Sequence, residues 1–292
     1  MLLIILYRDP EPNQRTDARG IPGRSCGLRE VNAAIRVWNR PKAGQSRNPL
    51  HRYKSTSLMS QPTSSWKTAF RSLYYRNAPP PDDPRLERGK LALLVIDVQN
   101  VYLARPDPGS LDPQGRAAYD AWTPFHERMH ATAIPAMQRL LARFRREGHE
   151  VLFARIACQT RDGRDRSLSQ KLPGWNNLLL PKDEWESQIV PQIAPQGDEI
   201  VVTKTTDSAL TGTNLRLLLA NLGISQVVCC GIFTDQCVSS TVRSLADESF
   251  SVIVVEDACA AGSDALHRHE LEIINMIYCH VMTSEELLGY LP

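Results

Sequence analysis

The pattern of apolar and polar positions changes character just before Leu91. From Arg8 to Lys90 the chain carries scattered Arg and Pro, no sustained period of 3.6 or 2, and the turn-rich run Ala78-Pro79-Pro80-Pro81-Asp82-Asp83-Pro84. From Leu91 onward, short apolar runs alternate with segments of helical period. The runs Leu91–Asp97, Glu150–Arg155, Glu199–Thr203, Gln226–Cys230 and Ser251–Val255 read as strands. A long helix with the apolar stripe Ile134, Met137, Leu141 and Phe144 ends at Gly148, and further helices are expected over Thr213–Leu222, Val238–Glu248 and Ala265–Tyr278. Arg105–Gln114 reads as a loop, and Gln159–Gln170 and Trp175–Trp185 as irregular. Strands alternating with helices predict an α/β fold: a three-layer, Rossmann-like parallel sheet of five to six strands flanked by helices, with right-handed crossovers.

Two parts follow from this pattern. Residues 1–89 are expected to form a poorly ordered Arg/Pro-rich N-terminal arm, and residues 90–292 one folded domain. The arm's excess of Arg resembles a transit segment, but Asp9, Glu11, Asp17 and Glu30 count against that, and Met59 offers an alternative natural start. Trp66, Tyr74 and Tyr75 are candidates to clip the end of the arm onto the body.

Composition narrows the function classes. At 42% apolar the chain can bury a sizeable core, and a net charge of +2 provides no field for an acidic partner. The Arg-rich arm lacks interleaved aromatics, so no nucleic-acid partner is expected. Seven cysteines, an odd number with two adjacent in an apolar strand, read as reduced thiols and imply a reducing, cytoplasmic setting. Leu2–Leu6 is too short for a signal sequence, and no run approaches a membrane span. No Gly-x-Gly-x-x-Gly follows any strand, so neither a dinucleotide nor another cofactor is expected. His126-Glu127-Arg128-Met129-His130 fits the H-E-x-x-H zinc pattern, but no third ligand is evident and no metal is expected. His267 and His269 read as surface residues.

The chemistry concentrates where strands end. Gln226–Cys237, QVVCCGIFTDQC, is an apolar strand that breaks at Gly231 and delivers a cysteine at the start of a helix. Backbone N–H groups and the helix dipole there favour a thiolate, although a cysteine taken alone is more often a small buried hydrophobe. Asp97 closes the first strand and Lys204 the third. In a parallel sheet such carboxyl-end residues share one crevice. Together they supply a nucleophile, a cation expected to lower its pKa, and a carboxylate able to move a proton.

Four segments, Leu93–Asn100 (LLVIDVQN), Val201–Leu215 (VVTKTTDSALTGTNL), Gly231–Arg243 (GIFTDQCVSSTVR) and Val254–Gly262 (VVEDACAAG), resemble the isochorismatase-like cysteine hydrolases. That family includes nicotinamidases, N-carbamoylsarcosine amidohydrolases, and ureidoacrylate and biuret hydrolases. The resemblance implies a catalytic triad of Asp97, Lys204 and Cys237. It also implies a cis peptide at Ile232–Phe233, with the N–H groups of Phe233 and Cys237 facing an oxyanion. Nicotinamidases of the family bind a metal through histidines near the second strand, whereas Arg155–Arg161 has none. Leu210 stands where many members have phenylalanine.

These features together imply a metal-independent amidohydrolase acting on a C–N bond of a small linear amide or ureido compound through a thioester. Gln99, Asn100 and Arg155 are candidate substrate-binding residues, and the enzyme is expected to be a homo-oligomer with no membrane partner. The alternatives are an isochorismatase-type vinyl-ether hydrolase, which generally lacks the nucleophilic cysteine, and an idle member serving in binding or assembly.

Overall fold

Among the described residues, six strands build one sheet: β1 (Leu91–Ile96), β2 (Glu150–Ile156), β3 (Ile200–Lys204), β4 (Gln226–Ile232), β5 (Ser251–Ala260) and β6 (His280–Met282). The computed structural model describes residues 65–172 and 178–292. All neighbouring strands run parallel, in the order β3-β2-β1-β4-β5-β6. β1 and β4 lie at the centre, and β1 is buried at every position, which is why its sequence is a continuous apolar run. The expected parallel sheet of five to six strands is therefore present with six. The strand missed in the sequence is β6, whose three residues are too few to show a period.

Among the described residues, eight α-helices accompany the sheet: α1 (Asn100–Leu103), α2 (Pro113–Arg128), α3 (Ile134–Glu147), α4 (Leu168–Lys171), α5 (Leu215–Asn221), α6 (Ser239–Asp247), α7 (Asp264–Ile274) and α8 (Ser284–Leu288). α3 and α8 pack together and onto the sheet, as do α6 and α7. Asp112 caps α2 by accepting from the Gly115 N–H, and Pro113 occupies its first turn. α2 runs into α3 through a π-turn at Met129–Ala133. Pro135 has no N–H to give to residue 131, which removes the bond that would keep the α-helical period there. The helix expected from the stripe Ile134, Met137, Leu141 and Phe144 is thus the second half of a longer rod that Gly148 ends in a left-handed conformation, φ +70°.

Of the expected arm, residues 65–89 are described, and Trp66, one of the three candidate clips, fastens them to the body as the one buried residue among them. Trp66 is buried, its N–H donates to Glu286 Oε1 at 2.8 Å, and its indole donates to Tyr290 Oη at 3.2 Å. The Asn275 amide donates to the carbonyls of Ala69 and Phe70. One aromatic anchor and a few hydrogen bonds hold this stretch, and such contacts leave no periodicity in the sequence. Tyr74, another candidate clip, is 90% exposed. The remainder of the proposed arm and Met59 lie outside the described residues. Among the described residues, no helix is long and apolar enough to cross a membrane.

Candidate active site

β1, β3 and β4 deliver three ionisable side chains to one point at the carboxyl edge of the sheet. Lys204 is the last residue of β3 and pairs in register with Ile156 of β2, one residue past the Arg155–Thr203 pair. Side chains alternate along a strand, so Lys204 and Ile156 share one face while Arg155 and Thr203 share the other. Asp97, directly after β1, lies level with Arg155, which would turn it away from Lys204. Its φ of +54° breaks the alternation, and its carboxylate lies 2.6 Å from Lys204 Nζ. A left-handed conformation is tolerated by Asp better than by most residues, at a cost of about 1 kcal/mol.

Cys237 comes from the other side. The chain leaves β4 through the cis peptide Ile232–Phe233 and forms a π-turn over Thr234–Val238 that leads into α6. The close passage of β4 across β1 depends on Gly231. Its φ is +124°, and a Cβ there would overlap the backbone of Ile96. Cys237 is buried, and its thiol lies close enough to Asp97 and Lys204 for the three groups to shift one another's pKa.

Electrostatics departs from the sequence expectation at the thiol. A depressed pKa is expected from the helix start and Lys204, but burial and then the Asp97 carboxylate push the thiol well up, against the lowering effect of Lys204. The ammonium is already matched to Asp97, so too little of its field is left to hold a buried thiolate. Lys204 stays protonated: burial works against its charge, but Asp97 and the Cys237 sulfur outweigh it and raise its pKa. Burial raises the Asp97 carboxyl despite Lys204, which makes its carboxylate a stronger base. The resting arrangement is a neutral thiol beside the Lys204–Asp97 pair.

Asp207 is a fourth ionisable group that the sequence reading passed over. The Cys237 thiol donates to its Oδ1 at 3.9 Å, and its charge also raises the thiol pKa. The signal was present in VVTKTTDSALTGTNL, three residues beyond Lys204, but a strand-end loop rich in Thr and Ser gives no reason to single out one carboxylate.

A small cavity of about 20 Å³, partly open to solvent, is lined by Tyr102, Ile156, Ala157, Cys158, Arg166, Gln170, Leu178 and Leu180. Ile156, the register neighbour of Lys204, carries it to the triad side of the sheet. The Tyr102 ring meets Phe233 edge-on at 5.4 Å, and Trp122 and Phe125 complete an aromatic wall around Phe233. Burial, Asp97, Cys237 and Asp207 hold the Tyr102 phenol well above its usual pKa, hence neutral. Arg166 donates only to the backbone carbonyls of Gly163, Gln170 and Leu178 and has no carboxylate partner among the described residues. Gln170 is 3% exposed, and its side-chain nitrogen has no hydrogen-bond partner among the described residues.

The three expected substrate-binding residues do not line this cavity. Gln99 is fully buried and bridges Ile156 N–H, Ile156 O and Ser187 O, each at 2.9 Å. Asn100 donates to Trp185 O, and Arg155 donates to Gln188 Oε1 and Thr203 Oγ1 on the other face. All three hold the loops that frame the site.

The histidines are also redistributed. His126 is buried and His130 exposed, because the π-turn begins between them and removes the helical spacing of the H-E-x-x-H pattern. His267, expected at the surface, is 4% exposed; His269 is the exposed one. Arg128 Nη2 lies 2.8 Å from His267 Nε2, and His267 Nδ1 lies 2.8 Å from Thr234 Oγ1 in the nucleophile turn. A guanidinium can only donate, so Nε2 accepts and Nδ1–H donates to Thr234. Burial lowers the His267 pKa, in keeping with this neutral tautomer. Among the described residues, no three His, Cys, Asp or Glu side chains are grouped to hold a metal.

A six-stranded parallel α/β sheet with a Lys–Asp pair and a cysteine at its carboxyl edge defines a hydrolase of the isochorismatase class: residues 91–286 match the Isochorismatase domain, and the chain belongs to that family. It is 31% identical over 180 residues to the ureidoacrylate amidohydrolase RutB of Pantoea ananatis (strain LMG 20103), covering 57% of this chain and 68% of that protein. It is 27% identical over 180 residues to an N-carbamoylsarcosine amidase of Arthrobacter sp, covering 59% and 67%. The crystal structure of a cysteine hydrolase from Pseudomonas syringae pv. phaseolicola 1448A superposes with a TM-score of 0.60 at 24% identity, over 73% of this chain and 97% of the other. That likeness speaks for the fold.

Proposed function

We propose that this hydrolase is a metal-independent cysteine amidohydrolase that cleaves a C–N bond in a small linear amide or ureido compound. The observation that carries this reading is the buried Lys204–Asp97 ion pair of 2.6 Å set against the Cys237 thiol. Asp97 takes the thiol proton as the sulfur attacks the carbonyl carbon, and the carbonyl oxygen becomes an oxyanion facing the N–H groups of Phe233 and Cys237. The protonated Asp97 returns that proton to the departing nitrogen, which leaves as ammonia or an amine. Water, deprotonated by Asp97, then opens the thioester, or its carbamoyl counterpart for a ureido substrate, and the thiol is restored. Lys204 keeps Asp97 ionised in a dry site and so sets the first proton transfer in motion.

The names of the relatives favour amides over vinyl ethers, as does a cysteine placed to attack. The segment after β2 has no histidine, so the ligand set that a metal-dependent relative would need is missing from Arg155–Arg161. Arg166, rather than Arg155, is a cation lining the cavity on the triad side, with no carboxylate partner among the described residues, and it suits a substrate tail ending in a carboxylate or carbonyl. The test is ammonia release across a panel of amides and ureido acids, with and without a chelator. Turnover that survives chelation and disappears in Cys237→Ala is expected; turnover of vinyl ethers alone would refute the amide reading.

A further inference from the structure

Asp207 stands at the nucleophile without a counter-charge. It is half-buried, no Lys, Arg or His pairs with it among the described residues, and its side chain's one hydrogen bond is the long one from Cys237 at 3.9 Å. Its position is fixed from both sides. Lys204 Nζ donates to the carbonyl of Thr206 at 3.1 Å, and Ser208 and Ala209 are tied to Ser244 and Thr241 of α6 at 2.8 and 3.0 Å. A carboxylate held here raises the thiol pKa and repels the thiolate that the reaction needs. The mechanism above gives it no part, yet the fold holds it in place.

We propose that Asp207 is a specificity-determining residue that accepts a hydrogen bond from an N–H on the nitrogen attached to the attacked carbon, restricting the site to primary and secondary amides and ureido compounds. This rests on the amidohydrolase reading. In a near-attack geometry the carbonyl carbon sits about 3–3.5 Å from the sulfur. Asp207 Oδ1, 3.9 Å from the same sulfur, then reaches an atom bonded to that carbon at a hydrogen-bond distance of about 2.9 Å. That atom is not the oxygen becoming an oxyanion, because two negative oxygens would face each other. An ester or vinyl-ether oxygen offers only lone pairs, and a fully alkylated nitrogen offers no hydrogen. A nitrogen bearing a hydrogen is the substituent that turns Asp207 from a repulsive neighbour into an acceptor. A carboxylate at the reacting end is excluded by the same charge.

Alkylation of Cys237 tests Asp207 as a hydrogen-bond acceptor beside the sulfur without requiring turnover; the sulfur attacks the CH2 carbon of each probe, and the amide N–H lies one carbon beyond it, within reach of a carboxylate 3.9 Å from that sulfur. The probes are iodoacetamide, N,N-dimethyl-2-iodoacetamide and iodoacetate, with rates at Cys237 followed by peptide mass spectrometry and normalised to a small free thiol. Wild-type protein should prefer iodoacetamide over both others. In Asp207→Ala the preference over the dimethyl probe should fall about tenfold, the lower end of what a hydrogen bond to a charged group contributes, and the preference over iodoacetate should fall with it. Asp207→Asn keeps the shape and should lose mainly the discrimination against iodoacetate, so a poorly folding alanine variant does not end the test. Wild-type rate ratios preserved in both variants overturn the proposal. If wild-type protein hydrolyses no amide while the ratios shift as stated, the amidohydrolase reading fails and the Asp207 contact stands. If amides are turned over and the ratios do not move, the contact fails alone.

Discussion

Lys204 Nζ and Asp97 Oδ2 lie 2.6 Å apart with side chains 0% and 2% exposed, so each charge depends on the other and on almost nothing from solvent. Taking one partner from such a pair leaves an uncompensated buried charge, at a cost of about 3–5 kcal/mol. In the mechanism proposed above, this geometry removes the need for a pre-formed thiolate, because a carboxylate whose pKa burial raises serves as the base beside the thiol.

Lys204→Met is therefore expected to abolish turnover and lower the melting temperature by about 10 °C at neutral pH. The deficit depends on pH with a definite sign. Without the ammonium, the folded-state pKa of Asp97 lies above its unfolded value because burial already raises it. A group raised in this way stabilises the fold below its unfolded pKa and loses that contribution as pH rises through the folded pKa. The melting gap between variant and wild type should narrow in acid and widen toward neutrality. A gap independent of pH would mean that Asp97 does not take up the proton.

Cys237→Ala should remove turnover with little effect on the melt, because a small buried side chain is replaced by a slightly smaller one. Thermal unfolding and ammonia release on the same preparation check this. Ordinary turnover in the folded variant would remove Cys237 from the mechanism.

Gly231→Ala should be among the most destabilising single changes in the sheet. Gly231 sits at φ +124° with no room for a Cβ against Ile96, so two central strands would have to part. A loss of about 3 kcal/mol or more is expected from strain and overpacking together, measured by denaturant unfolding. A variant as stable as wild type would mean that β4 can shift away from β1.

The sheet and the triad were legible because they rest on regular signals. Apolar runs report strands buried on both faces, and the ends of those runs give the positions of Asp97 and Lys204. What stayed hidden depends on contacts between distant segments. Trp66 is legible as a clip, but its partners Glu286 and Tyr290 are not, and His267 reaches Arg128 and Thr234, in neither case at any sequence period. Arg155 ends on the wrong face for a pocket role because side chains alternate from Ile156, which only the β2–β3 register reveals. Pairing the thiol with Lys204 alone predicts a lowered pKa, because it leaves out burial and the Asp97 carboxylate, which raise it.

A chain beginning at Met59 should melt and turn over as the full chain does, since it keeps Trp66 and the stretch that follows. Trp66→Ala should cost about 3–5 kcal/mol through the cavity it leaves beneath Glu286 and Tyr290. Calorimetry on the two proteins separates the claims. A destabilised Met59 chain would make residues before it part of the fold, and an undisturbed Trp66→Ala would make the indole a surface cover.

The last prediction concerns acid stability and His126. The ring is 7% exposed and stacked edge-on against Phe125 at 5.1 Å, and its Nδ1 has no hydrogen-bond partner. Burial, then the nearby Arg105 and His130, lower its pKa to about 4 from an ordinary 6.5. The unfolded chain therefore binds more protons here than the folded one between those values. The stabilising contribution of the neutral ring is present above pH 6.5 and is lost as pH falls toward 4. His126→Phe preserves an aromatic ring against Phe125 and removes the titration. Its melting temperature should match wild type near pH 8 and fall less steeply between pH 6.5 and 4. His149, His267 and His280, whose pKa values are also lowered by burial, account for the slope that remains. Parallel melting curves for the two proteins across that window would show that His126 gains water on protonation without loosening the fold, and would transfer the acid sensitivity to His267 and the nucleophile turn it holds.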